Sequence, residues 1–213
     1  NLGELKDEFR IRAQDTKKPY LCPDPEIDSW FNEAESEAAV RALLVRDSDE
    51  ITIPIGDTTL DLPSGLFDIQ YAELRAEDGT AYEMAPSSRR ELDKLRPGWR
   101  TRSDIPREYI HDDKSLTLGA VADAAYTLYI EFFRAPVGMD DDESEPEINE
   151  AHHLNLVDWV LFRAFSKPDT DMFDPARSRE AEAAFVSYFG KRSNADIRRK
   201  QNASLPHRNR CHP

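Results

Sequence analysis

The chain has 213 residues, and its 28 Lys+Arg against 42 Asp+Glu give a formal net charge of −14. Ten Phe, 7 Tyr and 3 Trp supply apolar bulk for one sizeable core or two small ones. An acidic body repels nucleic acid at close range, which argues against DNA binding as the main task, and no apolar run reaches the length of a membrane span.

Leu2, Leu5, Phe9 and Ala13 recur at helical spacing, and the stretch from Thr16 to Tyr20, with Pro19, interrupts them. Asp24-Pro25-Glu26 then offers an N-cap, a proline at the first helical position and an acid in the first turn. Ile27, Phe31, Ala34 and Ala38 carry that second helix to about Val45, which makes an αα-hairpin.

From Ile51 the apolar period changes to two. ITIPI and TLDLP are expected as short strands around a Gly56-Asp57 turn, the first of them an edge strand because of Pro54. Phe67 to Ala76 and Thr80 to Ala85 flank Asp78-Gly79, the strongest short hairpin signal in the chain. Ser87 to Leu95 reads as a short helix capped by Ser87 or Ser88 and ended by Pro97-Gly98, with a loop from Trp99 to Pro106. Glu108–His111 and Leu116–Leu118 form a further hairpin around Asp112-Asp113. Tyr126 to Arg134, alternating and aromatic, is expected to close the sheet.

An acidic run follows, from Asp140 to Glu147, with Ser144 placed to cap the next helix and Pro146 in its first turn. From Ile148 to Phe165, Leu154, Leu156, Val157, Trp159, Val160, Leu161, Phe162 and Phe165 cover most of the helix circumference. A helix apolar on nearly all sides is buried by several neighbours, so this one is the expected central post. After a polar loop, Ala181, Ala184, Phe185, Tyr188 and Phe189 mark a last amphipathic helix.

The fold class expected from this order is α+β, a helical bundle of about four helices with an inserted antiparallel β domain. Its parts are residues 1–48 and 136–190 for the bundle, 49–135 for the β insert, and a basic tail, 191–213. The tail holds Lys191, Arg192, Arg198, Arg199, Lys200, Arg208 and Arg210 against the single acid Asp196, so it is +6 and residues 1–190 are −20. Such an arm matches an acidic protein partner, including another copy of this same body. Cys22 and Cys211 lie far apart without metal or disulfide spacing, which fits a reducing compartment. The N-terminus is charged, unlike a signal peptide, and the missing initial Met suggests a trimmed start.

The sequence carries few residues in patterns that chemistry needs. Asp140, Asp141, Asp142, Glu143, Glu145 and Glu147 lack the alternating spacing and mid-loop glycine of an EF-hand, so they read as a solvated linker favouring a helix N-terminus. His152 and His153 are adjacent, about 100° apart on a helix, with no HExxH motif, so one is expected to face solvent and the other to pack. A metal-dependent enzyme built on the acidic run and His152/His153 is the weaker alternative. Ser87-Ser88-Arg89-Arg90 has no glycine-rich loop before it, and the capping role is simpler than a phosphate site. No nucleophile–base pair appears, and no catalytic residue, cofactor or metal ligand is assigned.

The order of these parts is itself a signature. DPEIDSWFNEAESEAAVRALL precedes the sheet, and YIEFFRAPVGMDDDESEPEINEAHHLNLVDWVLFRAF follows it. Together they resemble the phage head-to-tail adaptor (connector) proteins, among them the tail tubular adaptors of short-tailed phages. The most specific part is an aromatic strand ending in Arg-x-Pro, a crossover rich in Asp, Glu and Pro, and then PEI…EAHH…LVDWVLFRAF, here Tyr129 to Phe165. The resemblance implies a structural virion protein at the head–tail interface, assembled in the host cytoplasm. It also implies a ring of about twelve copies under the portal protein, a number at which weak contacts add strongly. The ring would extend the channel for genome DNA, passed without sequence-specific contact, and join the capsid to a tail or nozzle protein. The resemblance also implies that a C-terminal segment, as is often the case in such adaptors, grips the portal, and with the basic charge of the tail this makes Lys191, Arg192, Arg198, Arg199, Lys200, Arg208 and Arg210 the expected docking residues. The alternative is another virion or regulatory protein-binding module without catalysis.

Overall fold

The computed structural model describes residues 1–168 and 170–192. The chain is mixed α+β, with five α-helices among the described residues and sheets whose longer pairings are antiparallel. It divides into two compact units, one from Asn1–Val45 with Arg134–Arg192, the other containing Arg46–Phe133.

The first unit holds α1 (Leu2–Ala13), α2 (Asp24–Ala42), α4 (His153–Ser166) and α5 (Pro175–Phe189). Leu2, Leu5, Phe9 and Ala13 of α1 and Ile27, Phe31, Ala34 and Ala38 of α2 are all buried, as their spacing predicts. α4 packs on α5, α2 and α1, and buries Leu156, Val157, Trp159, Val160, Leu161, Ala164 and Phe165. It is the central post of this unit, although Leu154 stays exposed. Each fully buried Leu, Val or Phe contributes about 1.5–3 kcal/mol of transfer free energy, so this helix carries much of the unit's stability.

Several local expectations change. α2 has Pro23 at its N-cap position and no side-chain cap, because Asp24 is already the first helical residue and its carboxylate pairs with the buried Arg10. α2 stops at Ala42, where Leu43 takes a left-handed conformation (φ 56°). α4 begins at His153 rather than Ile148, preceded by a 3₁₀ turn, Glu150–His152, capped by Asn149. Ser144 does not cap it; its N–H and hydroxyl both donate to Asp141 Oδ1, at 2.8 and 2.9 Å. In α5, Ala181, Phe185 and Phe189 are buried while Ala184 and Tyr188 face out.

Among the described residues, the second unit holds ten strands and one helix. They are β1 (Arg46–Ile53), β2 (Thr59–Asp61), β3 (Leu66–Ala76), β4 (Ala81–Glu83), β5 (Ala85–Pro86), α3 (Arg89–Leu95), β6 (Ser103–Asp104), β7 (Glu108–His111), β8 (Ser115–Leu118), β9 (Val121–Ala122) and β10 (Tyr126–Arg134), whose last residue lies in the first unit. One sheet runs β1-β10-β3-β4, another β2-β8-β7-β5, and β6 pairs with β9. The two-residue pairings β5–β7 and β6–β9 are parallel.

The Asp78-Gly79 and Asp112-Asp113 hairpins form as their turn residues dictate, and Ser88 caps α3 in a capping box with Glu91. Gly56-Asp57 does not make a hairpin: β1 and β2 enter different sheets, and Gly56 (φ 89°) donates its N–H to Ala122. β1 starts five residues before the apolar alternation, in a charged stretch held by β10. β10 does not close its sheet but lies inside it, between β1 and β3, with Tyr126, Leu128, Ile130 and Phe132 buried.

Candidate docking surface

The root of the expected docking tail is described as far as Arg192. α5 ends at Gly190 (φ 84°), whose extended outer region of φ/ψ space suits only glycine, and Lys191 follows, exposed. Arg192 Nη1 meets Glu37 Oε1 of α2 at 2.6 Å. The other oxygen of Glu37 takes Arg41 Nε at 3.0 Å, one helical turn on. The Arg41 guanidinium in turn lies 5.1 Å from the Trp159 ring centroid and 5.2 Å from that of Phe185, and it donates to Gly190 O at 3.5 Å. The tail thus leaves a built site: a carboxylate between two guanidiniums, one of them stacked on the aromatic layer of α4 and α5. Arg198, Arg199, Lys200, Arg208 and Arg210 lie outside the described residues.

The acidic crossover is solvated, as its composition suggests, with all six acids exposed, but it is also tied to the helices around it. Lys6, buried on α1, pairs with Asp142 and, at 2.9 Å, with Asp28. Leu2 and Gly3 donate backbone N–H groups to Ser144 and Asp142, each at 2.9 Å. A Cβ on Gly3 would come within 3.3 Å of the Asp142 carbonyl, a tight contact that would make the crossover backbone give by a few tenths of an ångström. Asn32 brackets Met139 by accepting from its N–H at 2.7 Å and donating to its carbonyl at 3.1 Å. Glu147 holds Arg134 in a two-point pair at 2.8 and 3.0 Å. Two of its carboxylates, Asp142 and Glu147, meet cations supplied by α1 and by the end of β10, and these charge-assisted contacts hold the run in place.

Glu35, fully buried on α2, accepts the Glu147 N–H at 2.6 Å and the Ile148 N–H at 3.4 Å. Burial pushes its carboxyl up to about 7, against the two backbone donors and with the help of the nearby Glu147 charge. Burial raises Asp158 too, though Arg12 opposes this.

His152 and His153 are both half-buried and diverge, as adjacency on a helix requires. His152 Nδ1 lies 3.1 Å from Tyr188 Oη, and His153 Nε2 lies 2.9 Å from the Ile148 carbonyl. Neither faces open solvent alone. Among the described residues no three His, Cys, Asp or Glu side chains gather as a metal site, and no helix is long and apolar enough to cross a membrane.

What this geometry can do is bind. It offers an ion-paired exit for a basic segment and a crossover held by buried charges. Sequence reasoning missed Glu35, Glu37 and Arg41; only the i, i+4 spacing of the last two was visible. The family model described as SU10 adaptor protein matches residues 1–210. The chain belongs to that family. No curated protein matches it. As a member of an SU10-type adaptor family it is a phage head-to-tail adaptor, a structural component of the virion, in keeping with the resemblance carried by Tyr129 to Phe165.

Proposed function

We propose that this adaptor works as one copy in a ring of about twelve beneath the portal protein, where many weak contacts act together. On this reading it extends the channel for genome DNA, joins the capsid to a tail or nozzle protein, and performs no catalysis. The family match over residues 1–210 carries the reading. The body charge of −20 supports it, because a negative wall does not hold passing DNA. Residues 1–48 and 136–190 act in it as the helical domain, 49–135 as the β insert, and 191–213 as the arm that docks on the portal. Arg192 is already engaged by Glu37, so the docking contacts fall to Lys191 and to Arg198, Arg199, Lys200, Arg208 and Arg210.

The test is deletion of residues 193–213, which leaves the Arg192–Glu37 pair in place. The truncated protein is expected to keep its thermal midpoint and to lose association with purified portal rings, and native association should weaken as salt rises. Undiminished portal binding by the truncated protein would refute the docking role of the arm.

A further inference from the structure

Among the described residues β1 is an edge strand, and the order β1-β10-β3-β4 leaves its other side open. Arg134 N–H donates to the Val45 carbonyl at 3.1 Å, and the register Arg46↔Phe133 to Ile53↔Tyr126 continues from that bond. Antiparallel residues alternate between those whose backbone groups face the partner strand and those whose groups face away. Asp47, Asp49, Ile51 and Ile53 are in phase with Val45 and face β10. The N–H and C=O groups of Arg46, Ser48, Glu50 and Thr52 therefore face the open edge. Such a row is a template for pairing with another strand.

Two of these outward donors are already taken. Ser48 N–H donates to Asp47 Oδ1 at 2.9 Å, and Glu50 N–H donates to Asp49 Oδ1 at 2.8 Å. The next residue in the same phase is Pro54, which has no N–H. Asp47 and Asp49 also stand opposite Phe132 and Ile130, both buried, at positions where alternation would place apolar side chains. They are exposed instead. Two copies pairing edge to edge in antiparallel sense would bring two such rows together, each with the exposed Asp47, Asp49 and Glu50, the last of them paired with Arg75, and with Arg46 paired to Glu131. Like charges set opposite one another destabilise a strand pair.

We propose that Asp47 and Asp49 keep the free edge of β1 closed to a second copy of this chain. Each carboxylate occupies the outward N–H of the following residue and adds a negative charge that an incoming identical edge must face. The consequence is a subunit that can be crowded beside its copies without fusing their sheets.

The test is the pair of double variants Asp47→Ala/Asp49→Ala and Asp47→Thr/Asp49→Thr, the second favouring strand structure in case the first folds poorly. Each is expected to double its mass in sedimentation with rising concentration, relative to the native chain, and to gain exchange protection at the Ser48 and Glu50 amides. Adding Ser48→Pro, which removes one outward donor, should reverse the association and the protection at the Glu50 amide. The proposal fails if neither variant self-associates. It also fails if the association survives Ser48→Pro, because the contact then lies elsewhere.

Discussion

The carboxylate of Glu35 receives the backbone N–H of Glu147 at 2.6 Å, so a fully buried acid on α2 pins the end of the acidic crossover. Its second oxygen, Oε2, has no hydrogen-bond partner among the described residues. A buried carboxyl with one unsatisfied oxygen favours its protonated form, which is why burial raises it to about 7. The sign follows directly. An unfolded Glu titrates near 4.3, so between there and about 7 the folded chain holds a proton that the unfolded chain releases. Stability is therefore fully present at the acid end of this window and falls as pH rises through 7. Glu35→Gln keeps the acceptor for Glu147 and removes the charge. Its denaturation midpoint is expected to be flat from pH 5 to 8, where the native midpoint declines. A native-like slope in the variant would mean that other groups, such as Asp158, set the dependence.

The sequence made the helices and hairpins legible wherever one signal dominated. Phe9, Phe31 and Phe185 announce buried faces by spacing alone, and Asp78-Gly79 fixes a hairpin because its left-handed turn needs glycine. Misreadings arose where a long-range partner outweighed local pattern. Asp24 looked like a cap but is drawn to Arg10, and the acidic run is exposed as a linker would be but is also tied down by Lys6, Asn32 and Arg134. β1 begins in RDSDE, which has no strand pattern, because β10 supplies the ladder. The Glu37–Arg41–Arg192 cluster joins residues 155 apart at its extremes, and no local rule pairs them.

The crossover gives a graded prediction within three neighbouring acids. Asp140 is exposed, and Asp140→Ala should change stability by no more than about 0.5 kcal/mol. Asp141 accepts from Glu143 N–H, Ser144 N–H and Ser144 Oγ, much as a helix cap would, so Asp141→Ala should cost about 1 kcal/mol. Asp142→Ala leaves Lys6 with Asp28 alone on a buried site and should cost the most, about 1–3 kcal/mol. Urea denaturation of the three variants checks the order. Equal midpoints would return the run to the status of a linker.

The core of the first unit gives a contrast of size against exposure. Trp159 is packed by Phe162 at 5.2 Å and Phe185 at 4.9 Å between centroids. Trp159→Ala should cost about 3–5 kcal/mol as a large-to-small change in a close-packed interior. Glu180 is exposed on α5, and Glu180→Ala should cost under about 0.5 kcal/mol. Chemical denaturation separates these by a wide margin, and a Trp159→Ala variant as stable as the native chain would remove α4 from its role as central post.

The last prediction separates the two arginines that share Glu37. The Arg192 side chain is 62% exposed, and an exposed ion pair is worth about 0–1 kcal/mol, so Arg192→Ala should barely move the denaturation midpoint. Arg41 is 10% exposed and makes the same kind of pair, but it also covers the rings of Trp159 and Phe185. Removing it uncovers aromatic surface, strips a desolvated cation–π contact of about 2 kcal/mol, and leaves Glu37 with only its exposed partner. Arg41→Ala should therefore cost about 2–3 kcal/mol, and Arg41→Lys should recover only part, since an ammonium cannot stack as a planar guanidinium does. Raised salt should weaken the Arg192 pair and leave most of the Arg41 contribution in place, because screening acts on exposed charges far more than on buried ones. Equal effects of Arg41→Ala and Arg192→Ala, with equal salt sensitivity, would show that the cluster is a surface ion pair and not an anchor seated on the aromatic layer.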